Sequence, residues 1–182
     1  SLDPIIGTRN LATAGARSEF SDRSRRGQYV ALFRGVHIAA AHWNALDRHE
    51  KYRTRVRAAV ESAREPVIVS HESAAAVWRL QFVGEWPTKV HILAPRATGG
   101  RSNEMFARHA VGLPSACVQL DGTDATTLER TVVDLATRLS FPHAVVVADS
   151  SNDHRFDLDS LRTPKAANEF VFVSKDCDVL PA

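Results

Sequence analysis

The spacing of apolar residues changes along this chain, and the changes mark its elements. Ile5–Gly15 has helical character, with Thr8 placed as an N-cap, Leu11 as the main apolar residue and Gly15 as a C-terminal stop. After a turn at Ala16–Arg17, Ser18 is placed to cap a second short helix, Glu19–Arg26, closed by Gly27. Tyr29, Val30, Phe33, Val36 and Ile38 then carry strand propensity around Gly35, which predicts a short hairpin. Helix, turn, helix, hairpin is the order of a winged helix-turn-helix.

His42–Arg64 is the longest predicted helix, with Trp43, Leu46, Val56, Val60 and Ala63 on one stripe and Asp47 four residues before Lys51. It is expected to be a connector whose charged run, RHEKYRTRVR, faces solvent. From Pro66 the segment PVIV predicts a strand, and Ser70 is placed to cap a helix whose first turn contains Glu72 and whose inner side carries Ala74, Val77 and Trp78. Alternation at Val90, Ile92 and Ala94, at Met105, Ala107, His109 and Val111, and at Ala116, Val118 and Leu120 predicts three strands. Thr126 or Thr127 then opens a helix with Leu128, Val132, Leu135, Ala136 and Leu139 on one face. Propensity alone favours a strand for the AVVVA within Phe141–Ser150. Residues 151–182 are polar and weakly periodic until Glu169–Val173, which reads either as a last strand or as a segment clinging to the surface.

Composition makes this an ordinary globular chain: 182 residues, 44% hydrophobic and 24% charged. No apolar run approaches the ~18 residues of a membrane span, and the Ser-Leu-Asp-Pro start is unlike a signal peptide, so a cytoplasmic protein without membrane contact is expected. Cys117 and Cys177 form no CxxC spacing or disulfide framework, which suits a reducing compartment. Charge is segregated. Residues 1–60 hold 11 Lys and Arg against 5 acids, a net of +6, while the remainder holds 12 against 16, a net of −4. A polyanion partner is therefore expected at the N-terminal end.

Four segments, in order from Thr8 to Ser151, resemble the AbiEi family of type IV toxin–antitoxin antitoxins, especially its actinobacterial regulator-like members. SRRGQYVALFRGVHI resembles the family's RRG–strand–RRGVY wing, and VIVSHESAAAVWRL resembles its AVLSHESAAALHGL signature. TKVHILAPR with MFARHAV resembles its paired strands, and LERTVVDLATRLSFPHAVVVADS resembles its ARTLVDLAR…ALVVADAAL helices, which makes Phe141–Ser150 a helix. The resemblance implies an α+β chain: a winged helix-turn-helix region over 1–41, a connector helix over 42–64, and a C-terminal domain over 65–151 with a small, mostly antiparallel sheet packed by helices. Residues 152–182 form a tail with no assigned role.

It also implies a transcriptional regulator that binds double-stranded operator DNA, represses its own operon and counters a nucleotidyltransferase-like toxin without a stable toxin complex. Homodimer or regulatory contacts are expected in the second domain, and no cofactor. DNA contact falls on Arg17, Ser18, Ser21, Arg23, Arg25, Arg26 and Arg34, where arginine forks suit phosphate and base edges. The chain departs from the family pattern in three ways. Few residues precede Ile5, so the first winged-helix element is expected to be missing or stunted; Phe20 is the main anchor of the recognition helix; and no nuclease-like domain is expected after Ser151. A DNA-guiding remnant of a nuclease fusion and a pure interaction module are the alternatives.

Ser70-His71-Glu72-Ser73 has the residue types of a nucleophilic site, but successive helical positions point to different faces, so capping is the expected role of Ser70. His71, His91 and His109 lack the spacing of a metal site and are expected to be structural or surface residues. Asp134 and Asp149 are expected in capping or ion pairs, and no nucleotide, zinc-protease or nuclease motif is present. No catalytic or metal-binding residue is assigned, and the chain is read as a non-enzyme.

Overall fold

A computed structural model describes residues 5–94, 102–110 and 117–160, with side chains as far as 152. It is an α+β protein that divides into two compact units, residues 1–64 and 65–182. Among the described residues no helix is long and apolar enough to cross a membrane.

The first unit opens with a strand where a helix was expected. β1 (Ile5–Gly7) pairs antiparallel with β3 (Val36–Ala39), which also pairs antiparallel with β2 (Tyr29–Phe33), so the strand order is β1-β3-β2. Ile5 and Ile6 gain ladder hydrogen bonds and a core face here, which outweighs their local helical pattern. A single 3-10 turn, Thr8–Asn10, follows. α1 (Ala14–Arg25) is then one continuous helix, so the turn at Ala16–Arg17 and the cap at Ser18 are both corrected. Its N-cap is Thr13, whose Oγ1 accepts from Ala16 N at 3.1 Å, and Gly15 lies in its first turn instead of closing a preceding helix.

The β2–β3 hairpin turns at Arg34-Gly35, with Gly35 at φ +80°. Thr8 donates to the Gly35 carbonyl from both its N–H (2.8 Å) and its Oγ1 (3.2 Å), which ties the turn to the 3-10 segment. The single helix expected over 42–64 is two: α2 (Ala40–Ala45) and α3 (Arg48–Ser62). They break at Asp47 because its carboxylate accepts from Glu50 N at 2.7 Å while Glu50 Oε2 accepts from Asp47 N at 3.1 Å, a reciprocal capping box. Leu32, Val36, Ile38 and Ala58 form the core of this unit, flanked by Ile5, Val30, Phe33 and Trp43.

In the second unit, α4 (His71–Val77) precedes β4 (Val90–Leu93) and β5 (Phe106–His109), which pair in parallel. β6 (Cys117–Leu120) and β7 (Thr123–Thr126) pair antiparallel, so the sheet is mixed and not mostly antiparallel. β7 was not expected. Asp121 (φ +49°) and Gly122 (φ +75°) form the two-residue turn that reverses the chain into it. Of the PVIV segment, Val69 joins the two ladders, bridging Ile92 on one side and Ala125 on the other. α5 (Leu128–Ala136) buries Leu128, Thr131, Asp134 and Leu135, and packs against both α4 and α6 (Phe141–Ser160). Ala136, expected on the buried stripe, is exposed. Cys117 is buried, and Cys177 lies outside the described residues. Glu169–Val173, read as a last strand or a surface segment, lies outside the described residues.

Two glycines test this fold with opposite signs. At Gly35 a Cβ would meet Thr8 Oγ1 at 3.1 Å and would have to adopt a left-handed backbone, so Gly35→Ala is expected to destabilise the unit by about 1–2 kcal/mol. Nothing lies within 4 Å of a Cβ at Gly15, inside α1, and Gly15→Ala is expected to stabilise by about 0.5–1 kcal/mol. Urea unfolding of the two variants measures both.

Candidate nucleic-acid interface and a buried histidine cluster

All seven residues expected to contact DNA are exposed. At about 100° per residue, Arg17, Ser18, Ser21 and Arg25 fall within an arc of roughly 100° on α1. The half-buried Ala16, Phe20 and Ser24 form a separate stripe at i, i+4 and i+8. Phe20 is the anchor expected from the sequence: its ring stacks on Tyr29 at 5.0 Å and meets His37 edge-on at 4.9 Å, which fixes α1 to the hairpin. Arg23 lies off the arc, ion-paired to Glu19 at 2.7 Å, and Arg26 occupies the helix C-cap. Arg34 sits at the hairpin turn. A hydrogen bond to the Tyr29 side chain, then the Glu19 charge, raises the Arg23 guanidinium further above its usual range.

Some of this charge is already engaged. Arg25 donates to Asp22 Oδ1 at 2.6 Å, and Arg17 Nε donates to the Leu11 carbonyl at 3.1 Å. Exposed pairs of this kind are worth only a few tenths of a kcal/mol to about 1 kcal/mol, so a phosphate or a guanine edge competes with them readily. The basic run of α3 is partly committed to packing: Arg55 lies 4.9 Å over the Phe33 ring and Lys51 lies 5.8 Å over the Trp43 ring.

The second unit brings together residues with no sequence signal to associate them. His71 and His109 stack with centroids 3.8 Å apart and planes 17° from parallel. His109 Nε2 lies 3.2 Å from His91 Nδ1, which in turn lies 2.8 Å from Glu72 Oε2. Arg138 approaches from α5's C-terminal side, at 3.5 Å from His109 Nε2 and 4.0 Å from Glu72 Oε1. Asp134 takes a hydrogen bond from Arg130 Nε at 2.7 Å. Glu72 and Asp134 are each only 8% exposed.

His71 explains why sequence neighbours converge here. It opens α4 with φ +51°, a left-handed value uncommon outside glycine, and this turns its ring so that Nδ1 lies 3.0 Å from Ser70 Oγ. Ser70 is the N-cap by position, yet its side chain makes no capping bond, which corrects the expected role. Glu72 points to His91 and not to His71, so no serine–histidine–carboxylate triad forms, and Ser70 is fully buried. Among the described residues no group of three or more His, Cys, Asp or Glu is arranged to hold a metal ion. Two carboxylate oxygens, Glu72 Oε2 and Asp134 Oδ2, are buried without a well-directed hydrogen-bond donor. His91 Nδ1 nevertheless lies 2.8 Å from Glu72 Oε2.

Burial shifts these groups strongly. It lowers His71 to about 4, with His109 adding to the shift, and it lowers His109, with His91 and Arg138 adding. For Glu72 burial acts the other way, but His91, its local backbone and Arg138 together outweigh it and bring the carboxyl down to about 2. His71, His91 and His109 are scattered among polar and apolar neighbours in the sequence, and only the left-handed turn and the parallel β4–β5 pair align them; no spacing signal marks the group.

No known family model, characterised protein or solved structure matches this chain.

Because the folded pKa of Glu72 lies below its ordinary value of 4.5, its stabilisation is present above pH 4.5 and is lost as pH falls towards 2. Glu72→Gln is expected to cost about 3 kcal/mol at pH 7 and to flatten the acid limb of stability between those values. Urea unfolding as a function of pH reads both; an unchanged acid limb would contradict the assignment.

Proposed function

We propose that this chain is a DNA-binding transcriptional regulator whose first unit engages double-stranded operator DNA as a winged helix. In this reading α1 enters the major groove and the β2–β3 hairpin is the wing. The observation that carries it is the antiparallel order β1-β3-β2 with an exposed, arginine-bearing helix immediately before the hairpin. That order keeps the helix and the hairpin on one small frame, and the Phe20–Tyr29 stack locks them together. The 3-10 turn Thr8–Asn10 takes the place of the first helix of the motif, with Leu11–Thr13 as its turn.

Within this frame the candidate residues divide by chemistry. Arg17, Ser18, Ser21 and Arg25 are set to reach base edges from one face of α1, whereas Arg23, Arg26 and Arg34 are set to hold phosphates on either side. The net of +6 over residues 1–60 supplies the non-specific attraction that precedes recognition. Repression of its own operon in the cytoplasm, opposition to a nucleotidyltransferase-like toxin without a stable complex, and a non-enzymatic second unit that carries homodimer contacts complete the proposal; these rest on the resemblance to the AbiEi antitoxins.

A mobility-shift titration against promoter DNA of its own operon tests this. Binding should weaken steeply with salt, and Arg25→Ala with Arg26→Ala should lower affinity and reduce the salt slope by about 1 for each phosphate that is no longer neutralised. Unchanged affinity and slope in the double variant would refute the assignment.

A further inference from the structure

The histidine cluster of the second unit is left unused by DNA recognition. Its chemistry fits neither a cation nor an anion site well. The Arg138 guanidinium lies 3.5 Å from His109 Nε2, where a metal would have to bind, and the Glu72 and Asp134 carboxylates repel a phosphate. What the cluster holds instead is a backbone in a conformation that non-glycine residues seldom adopt. His71 keeps its left-handed φ of +51° while its ring is clamped between the Ser70 hydroxyl and the face of His109.

We propose that the stacked His71–His109 pair is a proton-sensitive latch that holds the first turn of α4 against the β4–β5 pair, closed when both rings are neutral and released when they take up protons.

Every element around the pair contributes to this behaviour. From α4 comes Glu72, from β4 His91, from β5 His109 itself, and from α5 and its C-terminal end Arg130, Asp134 and Arg138. Glu72 and Asp134 attract a proton to His71 and His109; burial opposes it most at both rings, Arg138 opposes it at both, His109 opposes it at His71 and His91 opposes it at His109. Burial and like charge prevail, and both rings stay neutral at pH 7. A second charge 3.8 Å from the first, across stacked faces, has no counter-ion between the rings. In the released turn His71 is free to leave the left-handed region and binds protons at its ordinary value of 6.5.

Linkage sets the sign. A histidine held below its ordinary value favours the closed state above pH 6.5 and loses that preference as pH falls towards 4. For His71 alone, the ratio of closed to released should fall on the order of 30-fold between about pH 8 and pH 5. His109 acts in the same direction.

Amide hydrogen exchange on the full chain, corrected for intrinsic rates, reads the latch at Ser73 and Ala74, whose amides are bonded to the Ser70 carbonyl in the first turn of α4. Protection there should fall on the order of 30-fold from about pH 8 to pH 5. His71→Asn keeps a side chain that tolerates the left-handed backbone and removes the titrating ring, so most of the fall should vanish. A proton NMR titration of the wild-type histidines supplies a second measurement: His71 should titrate well below 6.5. Flat protection in the wild type, an equal fall in His71→Asn, or an ordinary His71 titration would each overturn the proposal.

Discussion

Backbone pairing on both edges of a short central segment is the constraint on which each unit depends. In the second unit that segment centres on Val69. Its N–H donates to the Asp124 carbonyl and its own carbonyl accepts from Thr126 N, while Ser70 N and Leu93 N bond across to the His91 and Ile68 carbonyls. Two separate ladders become one framework, and Ser70, His71 and Glu72 are delivered directly onto β4. In the first unit β3 has the same position, with β1 on one edge and β2 on the other. Without the Val69 segment the second unit would be left with two isolated strand pairs, marginal in water, and without β3 the strands β1 and β2 would have no pairing partner among the described residues.

From these frameworks the two chemical regions follow separately. Near β3, Phe20 fastens an arginine-bearing helix to the hairpin, and its opposite arc faces solvent. Near Val69, polar groups are withdrawn from water. The two regions consequently obey different electrostatics. Charges on α1 are solvated, screened and easily exchanged from Asp22 or Glu19 to a polyanion. Around His71 the carboxylates Glu72 and Asp134 are buried, and burial is the largest influence on which protonation state His71 tolerates.

How much of this was legible in the sequence depended on whether a signal was local. The hairpin was legible because Gly35 and the β-branched and aromatic residues around it act over a few positions. α5 was legible from its apolar spacing, although Asp134 and Thr131 share the buried face. The break at Asp47 had a local signal too, since Asp47 and Glu50 have capping-box spacing, but the long apolar stripe through them suggested continuity. Asp121-Gly122 is likewise a hairpin turn by composition, yet Thr123–Thr126 is too polar to suggest a strand. β1 had no local signal: Ile5–Gly7 is a strand only because β3 lies beside it. The histidine cluster was illegible for a related reason. Helical geometry separates Ser70 from His71, and the left-handed backbone of His71 sets that geometry aside.

DNA recognition by the first unit is tested most sharply by titrating the full chain with double-stranded DNA from its operon while following backbone amide shifts. A winged-helix mode of binding predicts shifts concentrated in Arg17–Arg25 of α1 and at Arg34-Gly35 of the hairpin turn. Shifts confined to residues 65–160, or none at DNA concentrations that saturate non-specific binding, would contradict it.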